Sequence, residues 1–296
     1  MAQIRDIKKR MVAVSTIQRI TKTMQMIATA KFTAAVHRAK ATRPYSRTLR
    51  QLVGEVAQAA GDVEHPLIDG PPEPVNRELL LVISSDRGLC GAYNGNILRR
   101  AIGHLRQVQE SGGEFVLETS GKKAVAFFKF QKVPIEVRHS IGDKPAYEEV
   151  EQIASRYIDE FMAGRFDAVR VVYMRFESNT RQIPEVLQLL PLKPAEETSE
   201  AEAERRVSGA RANYEFSPSG EELLSELLPL TVKSQLFQAF NDAVVSEQIM
   251  RMVAMKAATE NARDLRRRLN RDYNRARQAQ ITTELSEIIG GTAALE

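Results

Sequence analysis

The sequence predicts an α/β protein in which two long terminal helices, paired antiparallel as a coiled coil, flank a domain with a mainly parallel sheet. Three observations carry this. Residues 1 to 43 contain no Gly or Pro, and neither do residues 230 to 289. At about 1.5 Å per residue these stretches make rods of roughly 65 and 90 Å, against about 11 or 12 residues for an ordinary helix. Between them short apolar runs alternate with amphipathic ones, which predicts strands and helices in turn, with strands parallel and helices over the faces.

In the first helix Ile4, Ile7, Met11, Val14, Ile17, Ile20, Met24 and Ile27 fall at steps of three and four, the mark of a coiled-coil seam. Extra steps of three near Ile17 would overwind it locally. Pro44 disfavours the helical conformation at Arg43 and predicts a kink, after which Leu49, Leu52 and Val56 resume the pattern. This segment is assigned residues 1–60, and the Pro/Gly-rich "GDVEHPLIDGPPEPVN", 61–76, is a linker.

The α/β domain, 77–192, begins with the strand "RELLLVISS" and the helix "NILRRAIGHLRQVQ". "EFVLETS" is a strand, "KKAVAFFKFQK" a helix and "PIEVRHS" a strand. The helix "YEEVEQIASRYIDEFM" and the strand "FDAVRVVYMRFES" complete it. Residues 193–212 are acidic and of low complexity, with Val207 their only large apolar residue, and predict a flexible surface insertion. The second coiled-coil helix is assigned to 213–296, with Phe237, Phe240, Val244, Ile249, Met252, Ala262, Leu265, Leu269, Tyr273 and Ala276 along its seam. Helices at opposite ends of a chain pair by folding back on each other, so the coiled coil is antiparallel.

Composition narrows the function. A hydrophobic content of 43% with 27% charged residues is that of a folded chain with real cores. The single cysteine, Cys90, excludes an internal disulfide, and His37, His65, His104 and His139 stand too far apart for ligand spacing. No apolar run approaches the roughly 20 residues of a membrane span, and "MAQIRDIKKRM" lacks the apolar core of a secretion signal, so a cytosolic chain is expected. The net charge of +4 hides a segregation: residues 1–50 carry twelve Lys/Arg against Asp6, and residues 261–280 carry seven Arg against Asp264 and Asp272. Basic ends around an acidic middle suit a nucleic acid, a membrane surface or an acidic protein.

The stretch "SSDRGLCGAYNGN", 84–96, places three glycines between a strand and a helix, where phosphates are often held. It fits neither G-x-x-x-x-G-K-[ST] nor G-x-G-x-x-G, and tight turns use glycine anyway. Cys90 has no histidine in its loop to activate it and reads as a structural thiol. Asp86 and Arg87 read as a local ion pair or a cap of the following turn. The arginine run "RDLRRRLNRDYNRARQ" suits nucleic-acid phosphates, a solvated face or an acidic protein surface; with only Tyr273 among the arginines, base stacking is the weakest reading.

Four longer stretches carry a resemblance. "RITKTMQMIATAKF" (19–32), "SSDRGLCGAYN" (84–94), "SEQIMRMVAMKAATENA" (246–262) and "YNRARQAQITTELSEIIGGTAAL" (273–295) resemble the gamma subunits of F-type ATP synthases, in that family's order over nearly the whole chain. The resemblance implies a left-handed coiled coil inside a ring of alpha and beta subunits and a Rossmann-like α/β domain that binds no nucleotide or other cofactor. It also implies a foot resting with an epsilon subunit on a membrane c-ring. The implied role is a rotor shaft that couples ion-driven rotation to ATP synthesis or hydrolysis on the beta subunits. It holds no catalytic residue or metal and sits on the cytoplasmic face of a bacterial membrane without entering it.

By the same resemblance Met24 and Arg251 meet an acidic loop of a beta subunit, and Gln278, Thr282 and Glu284 make upper hydrogen-bonded contacts to a beta subunit. Tyr214 and Phe216, in "NYEFSPSG", would face the c-ring, where Ser217 replaces an acidic residue more usual in the family. The alternative from the residues alone is a basic coiled-coil protein that binds nucleic acid.

Overall fold

The structure, a computed structural model, describes residues 2–60, 65–71, 73–192 and 220–293. The insertion at 193–212 and the residues Tyr214, Phe216 and Ser217 lie outside the described residues. Two units form: Met1–Ala30 with Arg251–Glu296, and Lys31–Met250. Helix α1, Ala2–Ala60, and the last helix, Gly220–Ala293, each contribute to both.

In the first unit the two helices run antiparallel, and Thr259 Oγ1 donates to Thr21 Oγ1 at 2.9 Å. Val14, Thr21 and Ala28, spaced seven apart, are buried on α1; Met255, Thr259 and Ala262 are buried on the other helix. This is a heptad seam, made largely of small residues. It corrects the expected seam in part: Val14 and Ala262 are buried as expected, but Ile17, Ile20 and Ile27 are 51%, 54% and 52% exposed and Leu265 is 47% exposed. Small side chains let two helices approach closely, which turns the bulky neighbours on adjacent positions outward.

In the second unit five strands stand in the order β3-β2-β1-β4-β5. They are β1 (Arg77–Ile83), β2 (Glu114–Ser120), β3 (Val137–His139), β4 (Ala168–Phe176) and β5 (Gln182–Leu190). The first four are mutually parallel and β5 runs antiparallel to β4. Strand β5 does not follow from the sequence pattern: "QIPEVLQLL" carries Pro184 and three polar residues. As an edge strand it tolerates a proline that a central strand would reject. Strand β3 is shorter than "PIEVRHS" suggests, three residues against seven.

Alternate side chains of β1 feed two cores. Leu79, Leu81 and Ile83 pack with α5 (Tyr147–Met162) and the last helix, here α6, through Leu224, Leu228, Val232, Leu236 and Phe240. Leu80 and Val82 pack with α3 (Tyr93–Glu110) and α4 (Lys122–Phe130) through Ile97, Leu98, Ala101, Leu105 and Phe128. A one-turn helix, α2 (Pro66–Asp69), buries Leu67 in the first of these cores.

The rest of α1 pairs with α6 through polar contacts. Thr42 donates to Gln238 at 3.0 Å, the Ser46 and Ser234 hydroxyls meet, and Arg43 bonds both Asp242 (3.2 Å) and the Phe176 carbonyl (3.0 Å). These flank Pro44, through which α1 runs unbroken; tertiary contacts hold on either side of a residue that removes one helix hydrogen bond. Helix α6 likewise continues through Pro229 and Gly290. Lys31 pairs with Asp143, whose carbonyl accepts from Arg38 at 3.3 Å, fixing the loop before α5 against α1.

Candidate functional site

In a doubly wound sheet a ligand sits beyond the C-terminal ends of the strands where strand order reverses. Here that point lies between β1 and β4, beside the loop from Ser84 to Ala92. It is closed. The remaining cavity, bounded by Ser84, Asp86, Tyr93, Asp143, Phe240 and Glu247, has a volume of about 20 Å³, room for one water and no nucleotide. Helix α6 lies over it, and the Tyr93 hydroxyl donates to the Ala243 carbonyl at 3.2 Å.

The backbone donors that would hold a phosphate are also taken. At the N-terminus of α4 the Lys122 N–H donates to Asp86 Oδ1 (3.0 Å), the Lys123 N–H to the Ser85 carbonyl (3.1 Å) and the Ala124 N–H to Ser84 Oγ (2.9 Å). Asp86 therefore caps a helix 36 positions further on, a partner that a local reading of the sequence does not include. Gly121 makes the close approach possible: its φ is +95°, and a Cβ there would sit 2.2 Å from the Ser84 carbonyl oxygen. Inside the loop Asn94 accepts from the Ser85 N–H (3.1 Å) and donates to Ser85 Oγ (2.7 Å) and Cys90 Sγ (3.1 Å). Cys90 is 1% exposed, and Gly91 supplies the left-handed turn at φ +61°.

One buried ionic cluster needs an account. Burial alone would raise the Glu118 carboxyl, but hydrogen bonds from His139 (2.6 Å), Arg156 (2.6 Å) and Tyr157 (2.7 Å) outweigh it and hold the group at about 2. Burial and the Glu118 charge together push the Tyr157 hydroxyl well up. The carboxylate is fully engaged, so the cluster ties β2, β3 and α5 together and offers no free base. Among the described residues no group of three or more His, Cys, Asp or Glu could hold a metal.

What the structure does present is surface on the first unit. Beside Ile17, Ile20 and Ile27, α1 shows Val12 and Met26 at 62% and 63% exposure, and α6 shows Val253, Ile281 and Leu285 at 54–55%. With Thr21 opposite Thr259 and the helices antiparallel, α1 reaches its first residue before α6 reaches Ile281 and Leu285. These two therefore face no α1 residue. So many bulky apolar side chains on a helix pair that has its own seam mark an interaction surface.

Of the residues singled out from the sequence, the five expected to meet beta subunits share this unit. Met24 is half-buried, Gln278, Thr282 and Glu284 are exposed, and Arg251 is 9% exposed. Gln280 donates to Glu284 at 2.7 Å along the helix face. The exposed isoleucines were missed as contact residues because spacing alone does not tell a seam facing its own partner helix from one facing another chain.

Comparison with known proteins gives this surface a context. The ATP synthase family profile matches residues 3–295. An ATP synthase gamma chain of Rhodopirellula baltica is 42% identical over the full length of both chains, and one of Pelotomaculum thermopropionicum is 39% identical, also over both full lengths. The fold is shared with a Euglena gracilis mitochondrial ATP synthase OSCP/F1/c-ring structure at a TM-score of 0.67 and 19% identity, over 99% of this chain and 95% of that one. A Tetrahymena thermophila central stalk and c-ring structure gives 0.60 and 22%, over 81% and 99%. Two paired helices joined to a closed Rossmann-like sheet, with end-to-end identity at this level, mean that the chain belongs to the ATP synthase gamma chain family.

Proposed function

We propose that this chain turns as the central rotor shaft of an ATP synthase, coupling ion-driven rotation of a c-ring to ATP synthesis or hydrolysis on beta subunits of a surrounding alpha/beta ring. The observation that carries the reading is the division of labour on the first unit: small residues make the internal seam, and Ile17, Ile20, Ile27, Ile281 and Leu285 face outward. A self-sufficient helix pair has no use for that apolar surface, whereas a shaft inside a ring does.

The mechanism is differential contact. An asymmetric helix pair presents a different face to each of three chemically identical beta subunits, and a contact difference of about 1.4 kcal/mol shifts nucleotide affinity about tenfold. In this reading Arg251 supplies charge complementarity to an acidic beta-subunit loop and Met24 an adaptable apolar contact. Gln278, Thr282 and Glu284 hydrogen-bond further up the shaft, Tyr214 and Phe216 meet the c-ring, and an epsilon subunit docks beside them. Nucleotide and catalytic residues belong to the other subunits, in keeping with the 20 Å³ cavity. Among the described residues no helix is long and apolar enough to cross a membrane, which fits a peripheral position at the cytoplasmic face. The basic ends, which also suit a nucleic-acid binder, find their counter-charges here on neighbouring subunits.

The test is reconstitution followed by observation. Purified chain mixed with alpha and beta subunits should assemble and restore ATPase activity, and a bead on the chain should turn during hydrolysis. A complex that hydrolyses ATP while the bead stays still sinks the proposal.

A further inference from the structure

The sheet unit carries a second built surface, remote in the fold from the closed crevice. Helix α4 ends at Phe130, and the turn that follows leads into β3, the short strand at one edge of the sheet. The turn is well fixed: the Val133 N–H donates to the Phe128 carbonyl (3.0 Å) and the Glu136 N–H to the Leu117 carbonyl (2.9 Å). A cleft of about 310 Å³ opens there, lined by Lys129, Lys132, Val133, Pro134, Ile135 and Arg138.

Three cations thus stand round an apolar floor with no acid among the lining residues. Lys129, Lys132 and Arg138 are all exposed and make no ion pair among the described residues. Elsewhere in this unit Arg77 pairs with Glu114, Arg170 with Glu78 and Lys233 with Glu151. Beside the cleft Phe130 is 82% exposed, above any other large apolar residue described. Aromatic side chains and exposed cations are the residue types that interfaces cover.

We propose that this cleft receives an acidic segment of another subunit of the assembly, its carboxylates against Lys129, Lys132 and Arg138 and an apolar side chain against Phe130 and Ile135. The partner's membership of the assembly rests on the rotor reading above. Charge complementarity selects an acidic occupant. An acidic polypeptide supplies both chemistries the lining calls for, carboxylates for the three cations and an apolar side chain for Ile135. At three residues β3 is too short to template an added strand, so recognition runs through side chains.

The experiment places p-benzoylphenylalanine at Phe130 in the full chain, assembles the complete synthase with it, irradiates, and maps the crosslinked segment by mass spectrometry. The expected product is a crosslink to a segment of another subunit rich in Asp and Glu. Its yield should fall about tenfold in a K129E/K132E/R138E chain, fall less in the milder K129Q/K132Q chain, and recover when the acids of the crosslinked segment are changed to Lys opposite the triple variant. Crosslinks to lipid alone, to a segment without acids, or to nothing overturn the proposal, as does a yield indifferent to the triple change. Copurification with alpha and beta subunits is scored separately. A chain that copurifies but fails these criteria leaves the rotor reading standing, whereas one that does not copurify overturns both.

Discussion

Gly121 and Glu118 are the residues whose replacement should tell most about the sheet unit. A Cβ at Gly121 meets the Ser84 carbonyl at 2.2 Å in a backbone at φ +95°, and neither can yield without breaking the cap on α4. Gly121→Ala should cost about 3 kcal/mol in urea unfolding of the chain. Gly103, inside α3 with nothing within 4 Å of an added Cβ, is the control: Gly103→Ala should add roughly 0.5–1 kcal/mol. Glu118 makes a pH prediction. Its folded value, about 2, lies below its ordinary 4.5, so the stability it contributes is present above pH 4.5 and lost as pH falls towards 2. Glu118→Gln should flatten that acid limb in unfolding curves taken across the range. It should also cost about 3 kcal/mol at neutral pH, the low end for breaking a buried pair because Arg156 keeps 35% exposure.

Among the elements, the helix seam makes the sharper test. Ala28 is 1% exposed between the paired helices, so Ala28→Leu overpacks the seam and should cost about 1–3 kcal/mol in thermal unfolding of the chain. Ile17→Ala, on the outward face at 51% exposure, should change the chain's own stability by less than about 0.5 kcal/mol while weakening its assembly with alpha and beta subunits. A reversed order of these two effects would mean that the seam has been assigned to the wrong face. The same contrast explains what could be read from sequence. The strand β1 is legible because it is a buried apolar run, β2 because the apolar Phe115, Val116 and Leu117 stand between a glycine pair and Gly121, and α5 because Val150, Ala154, Tyr157, Ile158 and Phe161 repeat at helical spacing. Strand β5 is not, because half-buried edge positions exert little demand on residue type. The candidate site was legible only where a motif marked it: the arginine-rich run and the glycine loop announce themselves, whereas the outward isoleucines carry the same periodic signal as a core.

For the whole molecule, a chain truncated after Arg277 loses Gln278, Thr282 and Glu284, all exposed in the structure. Its helix content per residue and unfolding midpoint should be nearly unchanged, because residues 281–290 are all exposed. ATP-driven ion pumping by the assembled enzyme should fall relative to ATP hydrolysis, read as acidification of vesicles per ATP consumed. An equal fall in both would point to lost assembly and not to lost coupling.

The contact between Thr21 and Thr259 also sets a timetable for biosynthesis. The two residues stand 238 positions apart, and at about 5–20 residues per second a ribosome needs roughly 10–50 s to travel between them. Through that interval the first helix has left the ribosome without the helix that pairs with it, and its apolar stripe is open to whatever binds nascent chains. Synonymous codons that slow translation between the two halves should therefore lower the yield of soluble chain, and a holdase supplied in trans should restore it.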